Sequence, residues 1–392
     1  MKIKSFLFLL VVFCFFQKAK AQFIKVDDTF NTQHLVEKVL VNSSCAQVSD
    51  FSESGDNFTP SRKSLGFFDA NGTAFPFKQG IFLSTWSSNN TPGPYDNQRG
   101  GGSKNWGGDA DLDAALGISS INASVIEFDF VPLTDYVSFN YLFASNEYQS
   151  YFPCDFSDGF AFLIKEKGSA APYKNLAVLP GTNIPVSSKI VHPLINPVQN
   201  GSATFEGCPA SYENYFNGYN TSNSPINYAG QTKVLTAETK VTAGKTYHIK
   251  LVVADDREEV FDSAVFIEAG SFSSKIDLGP DRLLATNNPV CFGESFLLNT
   301  NLPATNSFEW FRNGVKINGA NQPTYQVTSA GTYRVDVAFS PTCIISEEIK
   351  IEYAPDLILN NSSLVQCDID ADGLTIYDLS TTDANLKNND VN

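Results

Sequence analysis

Apolar and polar residues alternate along much of the chain between residues 120 and 270. Ile126, Phe128 and Phe130 are separated by Glu127 and Asp129, and the same period of two returns in residues 137–143, 160–164 and 247–253. Residues 265–267 lie in another strand-like run. Successive side chains of a strand point to opposite faces, so each segment predicts a half-buried β-strand. Gly, Asn and Pro interrupt the pattern, which is typical of antiparallel sheets. The pattern therefore predicts an all-β fold in which two sheets pack as a large jelly-roll sandwich.

Helical periodicity is clear in one place, near the start of the chain. Leu35, Val36, Val39 and Leu40 share one face at helical spacing, and Thr32 is the predicted N-cap. The sequence predicts a short helix ahead of the strands.

Residues 22–272 show no internal repeat and are predicted to form one large domain. A linker then leads to short strands predicted at residues 294–298, 307–312, 324–327 and 331–338. Residues 329–335 resemble the tyrosine-corner segment of immunoglobulin-like domains, with Trp310 as the core tryptophan. This resemblance implies an Ig-like domain over residues 273–354. Residues 355–392 begin a further module without a closing strand, so we expect the sequence to be a fragment of a longer polypeptide.

The first residues have the pattern of a secretory signal peptide. Lys2 and Lys4 precede an apolar run over residues 6–16, and Ala19 and Ala21 give a small-x-small cleavage site before Gln22. The run is too short for a membrane anchor, which needs about 20 apolar residues. Residues 1–21 are therefore predicted to be removed, which indicates a secreted or cell-surface protein with no integral membrane segment afterwards.

The charge balance limits the class of partner. The 392 residues include 27 basic and 42 acidic ones, and removal of the signal leaves 23 basic residues and a net charge of −19. Nucleic acid and anionic lipid are disfavoured partners, because phosphate binding needs clustered Lys and Arg. Divalent cations are favoured. Zinc, serine-hydrolase and nucleotide chemistry have little support, because the sequence contains no HExxH, GxSxG or Walker motif.

Six cysteines remain after the signal, and in an exported protein disulfides are the default interpretation. We expect Cys154 to pair with Cys208, because both flank long loops of one domain, and Cys291 to pair with Cys343. Cys45 and Cys367 are left over. A bridge between these two is a formal alternative to pairing outside this sequence.

Two acidic segments are candidate calcium loops. Asp109, Asp111 and Asp113 follow a Gly-rich loop at alternate positions, from which an extended chain would direct three carboxylates at one centre. The alternative is a solvated acidic turn. The other candidate has the first residues of an EF-hand loop but Leu at the twelfth position, so an Asx-rich turn is again the alternative. Its predicted ligands are Asp368, Asp370 and Asp372.

The densest acidic run follows an apolar strand and consists of residues 255–259 with Asp262. Most such runs are solvated turns. A second cation site, or an ion pair through Arg257 that locks the loop, is the alternative.

Aromatic residues in loops are the candidate ligand contacts. Trp86 and Trp106 bracket an Asn/Gly/Pro loop, and Tyr212 and Tyr215 lie among Asn, Ser and Gly. Flat rings beside adaptable amides suit sugars or protein surfaces. The alternative is that these rings pack against their own loops.

Several ordered blocks of the first domain resemble the choice-of-anchor L domain of exported Bacteroidetes proteins. They lie at residues 80–85, 108–113, 125–131, 139–148, 158–162, 175–182, 228–237 and 262–272. The resemblance implies a displayed extracellular module, and it leaves the biochemical activity open. Together with the Ig-like unit it implies export by the type IX secretion machinery and outer-membrane attachment of the full-length protein.

Residues 158–163 resemble a strand of legume-type lectins, in which the first Asp serves sugar binding and calcium lies nearby. This likeness implies a lectin-like sandwich in which Asp158 serves sugar binding, and the alternative is a turn Asp before a core strand. Asn146 and Glu147 are further candidate ligand-binding residues. We therefore expect a binding or adhesion protein in which calcium assists contact with an extracellular glycan or protein. A polysaccharide hydrolase using carboxylates near Glu147 and Asp158, and a purely structural surface module, are the alternatives.

Overall fold

The structure is a computed structural model that describes residues 23–41, 45, 47–58, 62–97, 100–102, 105–356, 364–365, 367, 372–376 and 378. The predicted signal peptide lies outside these residues, as does most of the predicted module after residue 355. The chain divides into two compact units. The first holds residues up to 277 together with 338–345, and the second holds residues 278–337 and those from 346 onward.

Strands dominate both units. Those up to residue 275 are Lys25–Asp27 (β1), Gln47–Ser54 (β2), Asn57–Phe58 (β3), Arg62–Lys63 (β4), Leu65–Asp69 (β5), Gln79–Ser84 (β6), Ser120–Val131 (β7), Tyr136–Ser145 (β8), Gly159–Glu166 (β9), Lys174–Asn175 (β10), Val198–Asn200 (β11), Ala203–Phe205 (β12), Phe216–Tyr219 (β13), Gly230–Thr232 (β14), Leu235–Lys240 (β15), Tyr247–Asp256 (β16), Ser263–Glu268 (β17) and Ser273–Lys275 (β18). The strands after them are Phe296–Asn299 (β19), Ser307–Arg312 (β20), Val315–Lys316 (β21), Thr324–Val327 (β22), Gly331–Ser340 (β23) and Cys343–Ile351 (β24).

Helices are short. The α-helices are Thr32–His34 (α1), Ala110–Leu116 (α2) and Phe152–Asp155 (α3), and α1 continues as a π-helix over Leu35–Val41. Single 3-10 turns occupy Ser88–Asn90, Glu213–Tyr215 and Leu284–Thr286. No helix in the described ranges is long and apolar enough to cross a membrane.

Two antiparallel sheets form the sandwich of the first unit. One has the order β1-β5-β6-β17-β8-β14-β13, with β15 and β18 also pairing with β8, and the other has the order β10-β9-β16-β7-β2. Phe139 on β8 packs against Phe162 on β9 with ring centroids 4.9 Å apart, and Phe143 stacks on Phe160 at 4.7 Å. Alternate residues of β8 thus face the core between the sheets. The predicted all-β class and the two-sheet sandwich are confirmed.

The N-terminal helix forms where its periodicity places it, but its cap differs from the prediction. Asn31 is the N-cap, because its side chain accepts a hydrogen bond from the His34 amide at 2.8 Å. Thr32 lies inside the helix, and its hydroxyl donates to Glu53. The predicted apolar face, including Leu35 and Leu40, is fully buried.

The second unit contains the predicted strands, and its core centres on Trp310, which is fully buried. The Tyr333 hydroxyl donates to the Ser329 carbonyl at 2.8 Å, which is the hydrogen bond expected of a tyrosine corner. The Trp310 indole donates to the Gln322 carbonyl at 2.9 Å, so its one polar atom is satisfied.

The structure contains two disulfides, and one differs from the prediction. Cys154 is bonded to Cys208, the pairing that the sequence favours. Cys343 is bonded to Cys45, with Cα atoms 4.9 Å apart, and not to Cys291. The Cys343 side chain is buried, whereas Cys291 is exposed and unbonded, as is Cys367. The prediction of a Cys291–Cys343 bridge was wrong because spacing along a chain does not fix disulfide connectivity.

Candidate functional site

Four acidic side chains meet at one end of the sandwich. Glu147 follows β8, Asp158 precedes β9, Asp255 lies at the end of β16, and Asp262 precedes β17. Antiparallel pairing sets Ser263 opposite Ser145, and Ala254 opposite Gly159, so these strand ends share one edge. We call Glu147, Asp158, Asp255 and Asp262 the buried acidic cluster, because their exposed fractions are 3%, 4%, 0% and 0%.

Neutral donors hold the first two carboxylates of the cluster. Glu147 Oε2 accepts from the Asp158 amide at 2.9 Å and from the Ser188 hydroxyl at 2.7 Å. Asp158 Oδ2 accepts from the Ser263 hydroxyl at 2.6 Å. These bonds fix the orientation of the carboxylates and supply no positive charge.

The other two carboxylates are only half satisfied. Asp255 Oδ2 accepts from the Asn122 side-chain amide at 2.7 Å, and Asp262 Oδ1 accepts from the Thr85 hydroxyl at 3.2 Å. The remaining oxygens, Asp255 Oδ1 and Asp262 Oδ2, are buried and make no hydrogen bond of good geometry, although the Thr85 hydroxyl and the Gly101 amide lie close enough to lower the pKa of Asp255 and Asp262 respectively. Buried polar atoms are nearly always paired in native proteins, so two such oxygens in one cluster are unusual.

Burial, together with the charges of neighbouring acids, raises the pKa of all four groups. Burial raises the pKa of Glu147 to about 7 and that of Asp262 to about 7. Burial also raises the pKa of Asp158 and of Asp255 well above the usual range, and the charges of neighbouring acids add to this effect. In the described part of the chain, no Lys, Arg or His forms an ion pair with any member of the cluster.

A Gly-rich loop lies directly over this cluster. A Cβ atom added to Gly100 would overlap the Asp262 carboxylate, and one added to Gly102 would overlap the Asn122 amide. Only a residue without a side chain can bring its backbone this close. Main-chain atoms of the loop therefore lie against Asp262 and Asn122.

The predicted calcium loop at residues 109–113 folds differently from the expected extended chain. Asp109 is the N-cap of α2 and accepts from the Leu112 amide at 2.8 Å, and Asp113 accepts from the Ser120 amide at 2.8 Å. Asp109 and Asp111 converge on Lys250, whose Nζ lies 2.9 Å and 2.5 Å from their carboxylates. The loop therefore surrounds an ammonium group.

Lys250 also contacts Glu127, at 3.1 Å, and is 8% exposed on its side chain. Burial lowers the pKa of Lys250, but hydrogen bonds to Asp111 and Asp109 outweigh this effect, so the pKa is raised and the side chain is charged. We call Lys250, Asp109, Asp111 and Glu127 the lysine cluster. Its single ammonium group offsets part of the negative charge of the predicted calcium loop.

The second predicted calcium loop is only partly described. Asp368 and Asp370 lie outside the described residues. Asp372 is exposed and accepts from the Leu374 amide at 2.7 Å, as in an Asx turn. Calcium at this loop stays a prediction.

The predicted ligand contacts separate into buried and accessible residues. Trp106 is 7% exposed, and its indole donates to the Ala123 carbonyl, so it packs its own loop. Trp86 is half-buried. Asn146, Glu147 and Asp158 are buried, so none of these three offers the open contact that the sequence suggested.

Tyrosines, in contrast, reach the surface. Tyr212 is exposed, and Tyr215 lines a groove of about 920 Å³. We call this the polar groove. Its lining combines Asn, Thr and Tyr side chains with aliphatic residues and four lysines, Lys174, Lys233, Lys240 and Lys275. Lys240 lies 3.5 Å from Asp277, whereas Lys233 and Lys275 form no ion pair in the described ranges.

Comparison with known families identifies the first unit. The family model described as "Choice-of-anchor L domain" matches residues 24–273, which is more than half of the chain. The chain belongs to the choice-of-anchor L domain family. The resemblance that the sequence blocks indicated is thereby confirmed. No curated protein matches the chain.

Among solved structures, the adhesin domain of Epf from Streptococcus pyogenes matches with 10% sequence identity and a TM-score of 0.21. The match covers 80% of this chain and 93% of that chain. At this TM-score the likeness supports no conclusion about the choice-of-anchor L domain.

The buried acidic cluster lies wholly within the choice-of-anchor L domain, and sequence reasoning missed half of it. Asp255 and Asp262 belong to a run that was expected to be a solvated turn, but both are fully buried. Arg257, whose ion pair was the alternative to a solvated turn, is exposed and lies 3.5 Å from Asp256. A usable signal was present, because Asp255 directly follows the apolar residues 251–254, and only Ser263 separates Asp262 from the apolar residues 264–267.

Proposed function

We propose that this choice-of-anchor L protein is an exported adhesion protein, displayed on the cell surface or secreted, that binds an extracellular glycan through the polar groove. Family membership supports a surface or secreted location. The single observation that carries the ligand class is the groove itself, which combines amides, hydroxyls, two tyrosines, aliphatic side chains and lysines. Such surroundings suit a hydrated, hydroxyl-rich ligand.

The charge of the groove restricts the class of ligand that it would bind. The protein has a formal net charge of −15, yet four lysines line this one surface, against one acid, Glu238. Lys233 and Lys275, which lack ion-pair partners in the described ranges, leave positive charge uncompensated. We infer that the ligand is an anionic glycan, bearing carboxylate or sulfate groups. An acidic protein surface is the alternative ligand.

A glycan array that contains neutral, uronate-bearing and sulfated oligosaccharides tests this proposal. The full chain is expected to bind the anionic set, and the double variant Lys233→Ala/Lys275→Ala is expected to bind at least 10-fold more weakly. Lys78→Ala is the matched control, because Lys78 is exposed on the same domain and lies outside the groove. A silent array would favour the purely structural module, and equal binding by the double variant would remove the groove from the account.

Polysaccharide hydrolysis has less support. Glycosidases need two carboxylates that face a substrate across a cleft, roughly 5–10 Å apart. Glu147 and Asp158 are both buried, and the backbone amide of Asp158 occupies Glu147 Oε2. Release of reducing sugar from a bound glycan, lost in Glu147→Gln, would restore the enzyme interpretation.

Export is proposed on sequence grounds alone. The signal peptide at residues 1–21 predicts a mature N-terminus at Gln22, and the resemblance to Bacteroidetes surface proteins implies the type IX machinery and outer-membrane attachment. Sequencing of the secreted protein tests the first part. A mature chain that still carries residues 1–21 would contradict it.

A further inference from the structure

We propose that the polar groove selects linear polysaccharides in which neutral sugar residues separate the acidic ones, and that Glu238 is the residue that determines this selectivity. The inference rests on the proposed function, because it concerns the same groove and the same class of ligand. It goes further because it specifies how the charges of the ligand are spaced and which side chain of the groove discriminates between ligands.

The first argument is the length of the groove. Leu235 on β15 lies opposite Tyr141 on β8, and Lys240 lies opposite Tyr136, so the strand rises about 17 Å between these two positions. Lys233 lies beyond Leu235, and residues along this whole length line the groove. A disaccharide is shorter than this distance and would fill only part of the groove. The groove therefore fits an extended stretch of a longer polymer.

The second argument is the position of the lysines, which lie at both ends of this length. Lys233 is exposed at one end. At the other end Tyr136 lies opposite Lys240 on one neighbouring strand and opposite Lys275 on the other, so the two lysines flank one tyrosine. Lys240 lies 3.5 Å from Asp277, whereas Lys275 forms no ion pair among the described residues. An extended anionic ligand can therefore place acidic groups near both ends of the groove.

The third argument is the acid that lies between these ends. Glu238 is exposed and lines the groove, and it is two residues before Lys240 on β15, so the two side chains share one face of the sheet. Burial raises the pKa of Tyr136 to about 12, and the charge of the nearby Glu238 carboxylate adds to this effect. Negative charge is therefore present inside a groove whose other charged lining residues are lysines.

This arrangement of charges discriminates between acidic polymers. Like charges that meet at an interface weaken binding, and specificity depends on such repulsion as well as on attraction. A polymer that is acidic at every sugar residue would bring a carboxylate or sulfate against Glu238. A polymer whose acidic residues are separated by neutral ones can contact the lysines at both ends and place a neutral residue beside Glu238. The second kind of polymer should therefore bind more tightly.

Calorimetric titration of the full chain with two octasaccharides tests this selectivity. One is a hyaluronan fragment, in which a uronate alternates with a neutral amino sugar, and the other is an oligogalacturonate, which has a uronate at every residue. The wild type should bind the hyaluronan fragment about 5-fold more tightly than the oligogalacturonate, as expected for one like-charge contact near the surface. A hyaluronan disaccharide should bind more weakly than the octasaccharide, because it cannot reach both ends of the groove.

Glu238→Gln is the test variant, and Glu206→Gln is the matched control, because Glu206 is an exposed acid of the same domain outside the groove. Glu238→Gln should bind the oligogalacturonate about 5-fold more tightly than the wild type does, and its affinity for the hyaluronan fragment should change by about 2-fold or less. Glu206→Gln removes the same charge from the protein and should leave the preference of the wild type intact.

The failure of this inference and the failure of the proposed function give different results. Equal affinities of the wild type for the two octasaccharides, or an unchanged preference in Glu238→Gln, would overturn the selectivity and leave the groove as a site for anionic glycans. No binding of either octasaccharide, or binding that is undiminished in Lys233→Ala/Lys275→Ala, would overturn the proposed function and this inference with it.

Discussion

Gly100 lies so close to Asp262 that a methyl group at position 100 would overlap the Asp262 carboxylate. Gly100→Ala should therefore destabilise the domain by about 1–3 kcal/mol, because either the loop or the buried acid must move. Urea unfolding measures the effect. Gly107→Ala is the control, since a Cβ atom at position 107 meets nothing within 4 Å. Equal stability of the two variants would show that the loop does not rest on Asp262.

Lys250 is the counter-charge for three carboxylates, and its removal should leave them repelling one another. Lys250→Met should cost about 2–4 kcal/mol in the free energy of unfolding, as expected when one partner of a largely buried ion pair is lost. Lys245→Met is the control, because its pair with Glu166 is on the surface and should have little effect. Similar losses from both variants would contradict the structural role of the lysine cluster.

His248 should make the stability of the sheet that contains β7 and β16 depend on pH. Its Nε2 lies 3.5 Å from Glu127 and its Nδ1 lies 2.9 Å from Asp129, and the hydrogen bond to Glu127 outweighs burial, so the pKa of His248 is raised. A raised pKa in the folded state means that the stabilisation is complete below about pH 6.5 and declines as the pH rises through the folded-state value.

His248→Gln should therefore flatten this decline, whereas His34→Gln, in the N-terminal helix, should leave it unchanged. Urea unfolding between pH 5.5 and 8.5 measures the slopes. A variant profile that falls as steeply as that of the wild type would assign the decline to other groups.

Acid should also lower the stability of this sheet, through Glu127. The hydrogen bond from His248 lowers the pKa of Glu127 to about 2. Its contribution to stability should be present above pH 4.5 and should disappear as the pH falls toward 2. Glu127→Gln should be less stable than the wild type at pH 6, and the difference should shrink below pH 4. A difference that stays constant down to pH 2 would contradict this assignment.

The disulfide connectivity predicts which cysteines react. Cys291 and Cys367 are exposed and unbonded, so both should be alkylated in the native, unreduced protein. Peptide mapping should recover the Cys45–Cys343 and Cys154–Cys208 pairs. A linked peptide that contains Cys291 and Cys343 would instead support the pairing that spacing alone suggested.

The strands were predictable because their information is local. β7, β8 and β16 contain alternating apolar and polar residues, and β9 has large apolar residues at alternate positions. The predicted interior positions of β8, such as Phe139 and Phe143, are buried, but so are Leu142 and Ala144 on its other face. The helix α2 was missed because acids at alternate positions also suit an extended loop, and the role of Asp109 as an N-cap depends on a turn that the pattern does not specify.

The site was less predictable because it depends on contacts between distant segments. Asp158 and Ser263 meet over a separation of 105 residues, and Asp255 and Asn122 over 133. Lys250 on β16 binds Asp109 at the start of α2, and the local spacing of the acids does not reveal this contact. Charged residues are usually exposed, so composition argued against the burial of Asp255 and Asp262.

The affinity of the full chain for an anionic oligosaccharide tests most directly whether the polar groove is the binding surface. Calorimetric titration with a sulfated or uronate-bearing oligosaccharide should give a Kd that is about 10-fold weaker for Lys233→Ala/Lys275→Ala than for the wild type. Equal Kd values for the two proteins, or no binding by the wild type, would contradict the polar groove as the ligand site.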